Sequence, residues 1–213
     1  LSFNCEKGDV SVILVEDTVT ALQKAANYYR NSLKNTVFIG VTGSNGKTTT
    51  RSMIYHLLSD DSLCSMTKGN FNNHIGLPLT LLETNPKSDY AIIEMGMNHR
   101  NEITELCKIA NPDAAVISNV GPAHIGILGT LENIARAKSE IIEGLNAIGN
   151  IGVFPSDTEF THIFEQAGKK CKLVSFGESN SSEFKITDII SSADNTKFCV
   201  SWKTDKYKCL LNV

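Results

Sequence analysis

Residues 42–50 read Thr-Gly-Ser-Asn-Gly-Lys-Thr-Thr-Thr, between an apolar run at 37–41 and a segment with helical spacing. A strand, a glycine-rich turn, a Lys-Thr pair and a helix build a cradle for phosphate groups. The turn's backbone N–H groups and the helix N-terminus face an anion, Lys47 adds a point charge, and the Thr48 hydroxyl suits Mg²⁺. Gly43, Ser44, Asn45, Gly46, Lys47, Thr48 and Thr49 are therefore the candidate ATP-binding residues. One position departs from the usual spacing: the residue five before Gly46 is Val41, where a glycine is expected.

The rest of the chain alternates in the same style. Strands are expected at 36–42, near 63–66, and at 90–94, 113–118, 151–154 and 171–176. Helices are expected at 47–58, 76–83, 101–110, 131–146 and 157–167. This alternation predicts an α/β fold, a mostly parallel sheet flanked by helices on both faces. Toward the C-terminal end, 184–190, 197–202 and 207–213 alternate like antiparallel strands and predict a short antiparallel extension. At the other end, residues 12–15 read as a short strand. Asp17 then offers an N-cap to a helix carrying Val19, Leu22, Ala26, Tyr29 and Leu33.

With 213 residues, 41% hydrophobic and 20% charged, the chain can bury a core, and its net charge of −3 gives no basic excess for nucleic acid. It has no run of eighteen apolar residues and no signal-peptide layout. Its six cysteines (5, 64, 107, 171, 199 and 209) form no C-x-x-C pair, and several lie in apolar runs. They are expected as buried free thiols of a reducing cytosol.

Ligands of such sheets bind at the carboxyl ends of the strands. Glu94 ends one strand and is placed to hold Mg²⁺ directly or through water. His124 follows another, and a lone histidine there reads more readily as a structural hydrogen-bonding group than as a ligand. Lys138 falls on the apolar stripe formed by Leu131, Ile134, Ala135, Ile141, Ile142 and Leu145, where a lysine must snorkel, lose its proton or face a partner. Asn70, Asn72, Asn73 and His74 crowd a loop that reads as a polar turn or as a substrate contact.

With these pieces together the chain resembles the Mur ligases, ATP-dependent enzymes that extend the peptidoglycan stem peptide. Their loop, T-G-x-x-G-K-T-[ST], is matched by residues 42–49, which accounts for Val41. G-N-x-N-N-x-I-G-x-P at 69–78, E-x-G-x-N-H at 94–99 and A-K-x-E-I at 137–141 look most like the member that joins D-alanyl-D-alanine to UDP-N-acetylmuramoyl-tripeptide. Asn101 stands where many members have glycine.

The resemblance implies an acyl phosphate mechanism with ATP and two Mg²⁺ ions. Lys47 would contact the β/γ-phosphates, Thr48 and Glu94 would hold the first ion, and His124 the second. Lys138 would be a carbamylated ligand of that second ion, with Lys47, His124 and Lys138 as the catalytic set. The asparagine loop would touch the UDP-sugar-peptide. Residues 1–34 are expected as the tail and linker of a UDP-substrate domain, and 35–213 as a central ATP-binding domain truncated at its C-terminal end, with the C-terminal domain absent. Such a piece is expected to be monomeric and bacterial cytoplasmic, without membrane insertion, and nearly inactive alone. Folylpolyglutamate or cyanophycin synthetases, or a nucleotide-binding module that ligates nothing, are the other readings.

Overall fold

The computed structural model describes residues 12–145 and 147–212. Residues 1–11 of the expected 1–34 tail, Cys5 among them, lie outside the described residues, as do Asn146 at the end of the expected 131–146 helix and Val213. Helix α1 (Thr18–Ser32) starts where Asp17 accepts a hydrogen bond from the Thr20 N–H at 2.6 Å, an N-cap that satisfies one of the helix's free donors. Then follow β1 (Val37–Thr42), α2 (Lys47–Ser59), β2 (Cys64–Met66), α3 (Gly76–Leu82), β3 (Tyr90–Glu94), α4 (Glu102–Ala110) and β4 (Ala114–Ile117). After these come α5 (Ile125–Leu128), α6 (Leu131–Glu143), β5 (Ile151–Pro155), α7 (Thr161–Ala167) and β6 (Lys172–Gly177). Three strands close the chain: β7 (Phe184–Ser191), β8 (Asn195–Trp202) and β9 (Asp205–Asn212).

The nine strands among the described residues lie in one sheet, in the order β2-β3-β1-β4-β5-β6-β7-β8-β9. Pairing is parallel from β2 to β7 and antiparallel from β7 to β9. The antiparallel strands thus continue the parallel sheet. Crossovers are right-handed, so the connection that runs from β1 back to edge strand β2 puts α2 on the face opposite the other crossover helices. Helix α2 packs on β1, β2 and β3, while α6 packs on β1, β4, α4 and α7. The core between sheet and helices includes Phe38, Leu77, Ile93, Met95, Ile103, Ile117, Ile134, Ile141 and Phe164. At Gly40 the sheet and α6 come so close that an added Cβ would sit 3.1 Å from the Ile141 methyl and 3.3 Å from that of Met95.

The expected strand at 12–15 does not form. Val12, Ile13 and Leu14 are 62%, 82% and 89% exposed, and no strand among the described residues pairs with them. A strand needs a neighbour for its backbone groups, and apolar composition does not supply one. Helix α7 begins at Thr161 rather than 157, because the Asp157 carboxylate accepts from the Glu178 and Ser179 N–H groups and holds the preceding turn open. Helix α6 ends at Glu143 rather than 146, capped by the Gly144 N–H on the Glu140 carbonyl. Helix α5 lies in what reads as loop. Of the five cysteines described, all are free but only Cys107 is buried; Cys64, Cys171, Cys199 and Cys209 are half-exposed, since three of them lie on strands near a sheet edge. Burial, with Glu140 nearby, pushes the Cys107 thiol up to about 12, so it is unreactive at neutral pH.

Helix α1 packs on α3 and α4. Its Arg30 is buried, stands 4.3 Å from the Phe38 ring centre, and donates to the Ala110 and Asn111 carbonyls and to Asp113 Oδ2 at 2.9 Å. These carbonyls end α4, so one guanidinium both caps that helix and fixes α1 to it. Arg30→Ala removes these charge-assisted bonds and should cost about 2 kcal/mol of stability. A urea-unfolding midpoint unchanged from wild type would show that α1 is held by its apolar face alone.

Candidate nucleotide and metal site

The site lies where the chain leaves β1, β3 and β4, at the strands' carboxyl ends. Parallel register puts Val41 beside Glu94 and Thr42 beside Ile117, so the loops after these strands emerge side by side. The turn at 43–46 is braced by the segment after β4. The Ser44 N–H donates to the Asn119 carbonyl at 3.2 Å, and the Asn45 N–H to Asn119 Oδ1 at 3.0 Å. Ser118 Oγ and Asn119 Nδ2 donate back to the Asn45 carbonyl at 2.7 and 3.0 Å. Ser44 Oγ is spent on Gly121, donating to its carbonyl at 2.9 Å and accepting from its N–H at 2.8 Å. Gly43 is required by contact, because a Cβ there would meet Ser118 Oγ at 1.9 Å. Gly46 takes φ +72°, a left-handed conformation that turns the chain into α2.

This bracing consumes the N–H groups of Ser44 and Asn45. Among the described residues nothing accepts from the N–H groups of Gly46, Lys47, Thr48 and Thr49. They are the orphan donors of a helix N-terminus and suit an anion with several oxygens. Lys47 Nζ lies back over the turn, 3.0 Å from the Gly43 carbonyl, and can swing to such an anion.

Glu94 is 2% exposed, yet both its oxygens are bonded. Oε2 accepts from Thr48 Oγ1 at 2.9 Å and from Arg51 Nη1 at 3.1 Å, and Oε1 accepts from Asn72 Nδ2 at 2.8 Å. The Glu94 N–H is bonded to Thr67 Oγ1. Thr48 and Glu94 thus present hard oxygen donors to one point at the foot of the phosphate cradle, a set that fits Mg²⁺. No group of three or more His, Cys, Asp or Glu side chains able to hold a metal occurs among the described residues. A magnesium site completed by phosphate and water oxygens needs none.

Lys138 is 2% exposed on α6, as its place in the apolar stripe requires. Burial first, and the like charge of Lys47 second, lower its ammonium to about 7, well below the ordinary lysine value. Two residues on, Glu140 accepts from the Asn101 and Thr104 N–H groups at 2.7 and 3.0 Å and pins α6 to the start of α4.

The other expected residues are less tightly gathered. His124 has φ +65°, is exposed and precedes α5; no hydrogen bond or ion pair of its ring joins it to Glu94 or Lys138. Asn73 Oδ1 accepts from the Ile75 and Gly76 N–H groups and shapes the turn into α3, while Asn70 and His74 are exposed. Only Asn72 of that loop reaches Glu94. The loop is pressed onto the strand end: a Cβ on Gly96 would lie 2.9 Å from the Asn72 amide.

Sequence reasoning missed Arg51 and Asn119. Arg51 stands four residues after Lys47 on a helix that packs on the sheet, and that spacing was the available signal. Asn119 lies between two residues weighed for function, but its task depends on a turn 74 positions away.

The Mur ligase middle domain family matches residues 41–213. The UDP-N-acetylmuramoyl-tripeptide--D-alanyl-D-alanine ligase of Bacillus subtilis (strain 168) is 44% identical over 190 residues, 89% of this chain and 40% of that protein. A crystal structure of MurF from Acinetobacter baumannii superposes with a TM-score of 0.89 at 33% identity, over 97% of this chain and 46% of that one. MurF from Thermotoga maritima in complex with ADP gives a TM-score of 0.84 at 30% identity, over 98% and 48%. The chain thus spans less than half the length of each relative. A match over most of its residues, on a fold that holds the glycine-rich turn, Glu94 and Lys138 at one end of the sheet, makes the chain a member of the Mur ligase family.

Proposed function

We propose that the chain carries the ATP-binding part of a ligase that joins D-alanyl-D-alanine to UDP-N-acetylmuramoyl-tripeptide through an acyl phosphate. The observation that carries this reading is the cradle of free N–H groups at 46–49 beside the Thr48–Glu94 oxygen pair. The nearness in sequence to ligases of that name supports the choice of substrates, as does the ADP held by the Thermotoga maritima relative.

In this reading residues 35–213 belong to the central ATP-binding domain and residues up to 34 to the link with a UDP-substrate domain. The N–H groups of 46–49 and Lys47 seat the β- and γ-phosphates of ATP. The peptide's terminal carboxylate attacks the γ-phosphorus, the bond to the β-phosphate oxygen breaks, and ADP leaves. The amine of D-alanyl-D-alanine then adds to the acyl carbon, loses a proton, and expels phosphate to leave an amide. Charge collects on phosphoryl and carbonyl oxygens in each step, so Lys47 and the oriented N–H groups act by electrostatic stabilisation. Mg²⁺ held by Thr48 and Glu94, and a second ion held by His124 and Lys138, would neutralise phosphate charge. Asn70, Asn72, Asn73 and His74 form the face offered to the UDP-sugar-peptide. A soluble enzyme of the bacterial cytoplasm fits substrates of this kind, and among the described residues no helix is long and apolar enough to cross a membrane.

Lys138 would serve the second ion as a carbamate. The neutral amine's lone pair bonds to the carbon of CO₂, the nitrogen gives up a proton to solvent, and a cation becomes an anion. The lowered ammonium supplies the neutral amine that this needs.

Two measurements test the reading. The full-length protein should release ADP only when both UDP-N-acetylmuramoyl-tripeptide and D-alanyl-D-alanine are present, and Lys47→Ala should lower kcat by about a hundredfold or more. ADP release indifferent to either acceptor would sink the assignment.

Lys138 is tested separately. Its folded value of about 7 lies below the ordinary 10.5. Between these limits the unfolded chain binds a proton that the folded chain does not, so this residue's contribution to stability grows as pH rises from 7 and is lost as pH falls through 7. In CO₂-free buffer Lys138→Met should be more stable than wild type below pH 7, by a margin that narrows toward pH 10. With ¹³C-bicarbonate, wild type should show a carbamate resonance that Lys138→Met lacks and acid abolishes. Its absence at neutral pH, or full activity in the variant, would rule out the carbamate.

A further inference from the structure

Arg51 stands on α2 one turn past Lys47, and no step above uses it. Its side chain is 6% exposed and that of Glu94 3% exposed. Nη1 alone makes two bonds, to Glu94 Oε2 at 3.1 Å and to the Gly69 carbonyl at 3.1 Å. The Nε–H of the same guanidinium is buried and has no partner among the described residues. A buried ion pair with an orphaned donor is a poor device for stability, since desolvation costs about as much as the pair returns. Its value lies in what it connects.

One end of the connection is the carboxylate that faces the phosphate cradle. The other is the first residue of the asparagine loop. Asn72 closes the circuit from the loop's far side, donating to Glu94 Oε1 at 2.8 Å and accepting from the Gly96 N–H at 2.8 Å. Oε2 already carries both Thr48 and Arg51. A cation that approaches this oxygen repels the guanidinium and weakens its hold on Glu94. Nη1, already 3.1 Å from the Gly69 carbonyl, would then bond that carbonyl more strongly and hold the loop more firmly. A ligand that orders the loop acts on the same guanidinium from the opposite side.

We propose that Arg51 is a positioning residue that couples the two substrate sites, so that magnesium nucleotide and the UDP-linked peptide each tighten the binding of the other. The coupling rests on the reading of Glu94 and the asparagine loop given under Proposed function. Reciprocity follows from linkage: whatever factor one ligand gains from the other must be returned.

Calorimetry on the full-length protein tests this, with UDP-N-acetylmuramoyl-tripeptide titrated with and without magnesium and a non-hydrolysable ATP analogue. Wild type should bind the peptide about fivefold more tightly or better when the nucleotide is present. R51M should bring that factor close to one while each ligand still binds alone, and R51K, which keeps a cation against Glu94, should give a value between. An arginine that is only structural would lower the melting temperature of R51M and leave the factor intact. That result, or a factor of one in wild type, overturns the coupling while leaving the ligase assignment standing. Should R51M fail to fold, a wild-type factor retained in R51K overturns it equally. Wild-type protein that does not bind the peptide at all would overturn the function and the coupling together.

Discussion

The site depends on keeping one carboxylate charged where water scarcely reaches. An unpaired anion as buried as Glu94 would be neutralised or would unfold its surroundings. Its oxygens are therefore claimed by three donors: Thr48 and Arg51 from α2, and Asn72 from the loop before α3. Because these donors come from separate segments, holding the charge also fixes the start of α2, the end of β3 and the loop relative to one another. Gly96 has no side chain because Asn72 occupies that space, and Thr67 bonds the Glu94 backbone from beneath. The polar circuit and the close packing are two aspects of one requirement.

The opposite wall of the site is built on a different principle. There the glycine-rich turn leans on Ser118, Asn119 and Gly121 through backbone and short side-chain bonds, with no charged group involved. A turn braced by neutral bonds keeps its shape when a polyanion arrives, because no counter-charge must be displaced. Sheet register does the coarse positioning, since β1 lies between β3 and β4 and its carboxyl end meets both loops.

Much of this was legible in the sequence, for reasons that differ by residue. The glycine-rich turn is a local pattern whose chemistry is complete within eight residues. Lys138 was visible because helical periodicity alone puts it on a buried face, and the structure finds it there. Glu94 needed only a strand end. Arg51 and Asn119 were missed because their roles arise from pairings across 18 to 74 positions, which periodicity does not encode. The expected strand at 12–15 failed for the same reason in reverse: its apolar pattern is right, but β structure is a property of pairs. The cysteines were read from their apolar neighbours, yet strands near a sheet edge bury only one side.

The cations around the cradle follow from how each is compensated. Arg51 is neutralised by Glu94, and Lys47 rests on a carbonyl dipole. Lys138 has neither kind of partner among the described residues and instead loses much of its charge, part of the cause being Lys47. A triphosphate seated on Lys47 would offset that like charge and raise the Lys138 ammonium again, leaving burial as the main force lowering it. The neutral amine that carbamylation requires is thus most abundant before the nucleotide arrives. A carbamate at Lys138, as proposed above, would be an anion beside bound phosphates, and a cation between them would make that arrangement favourable.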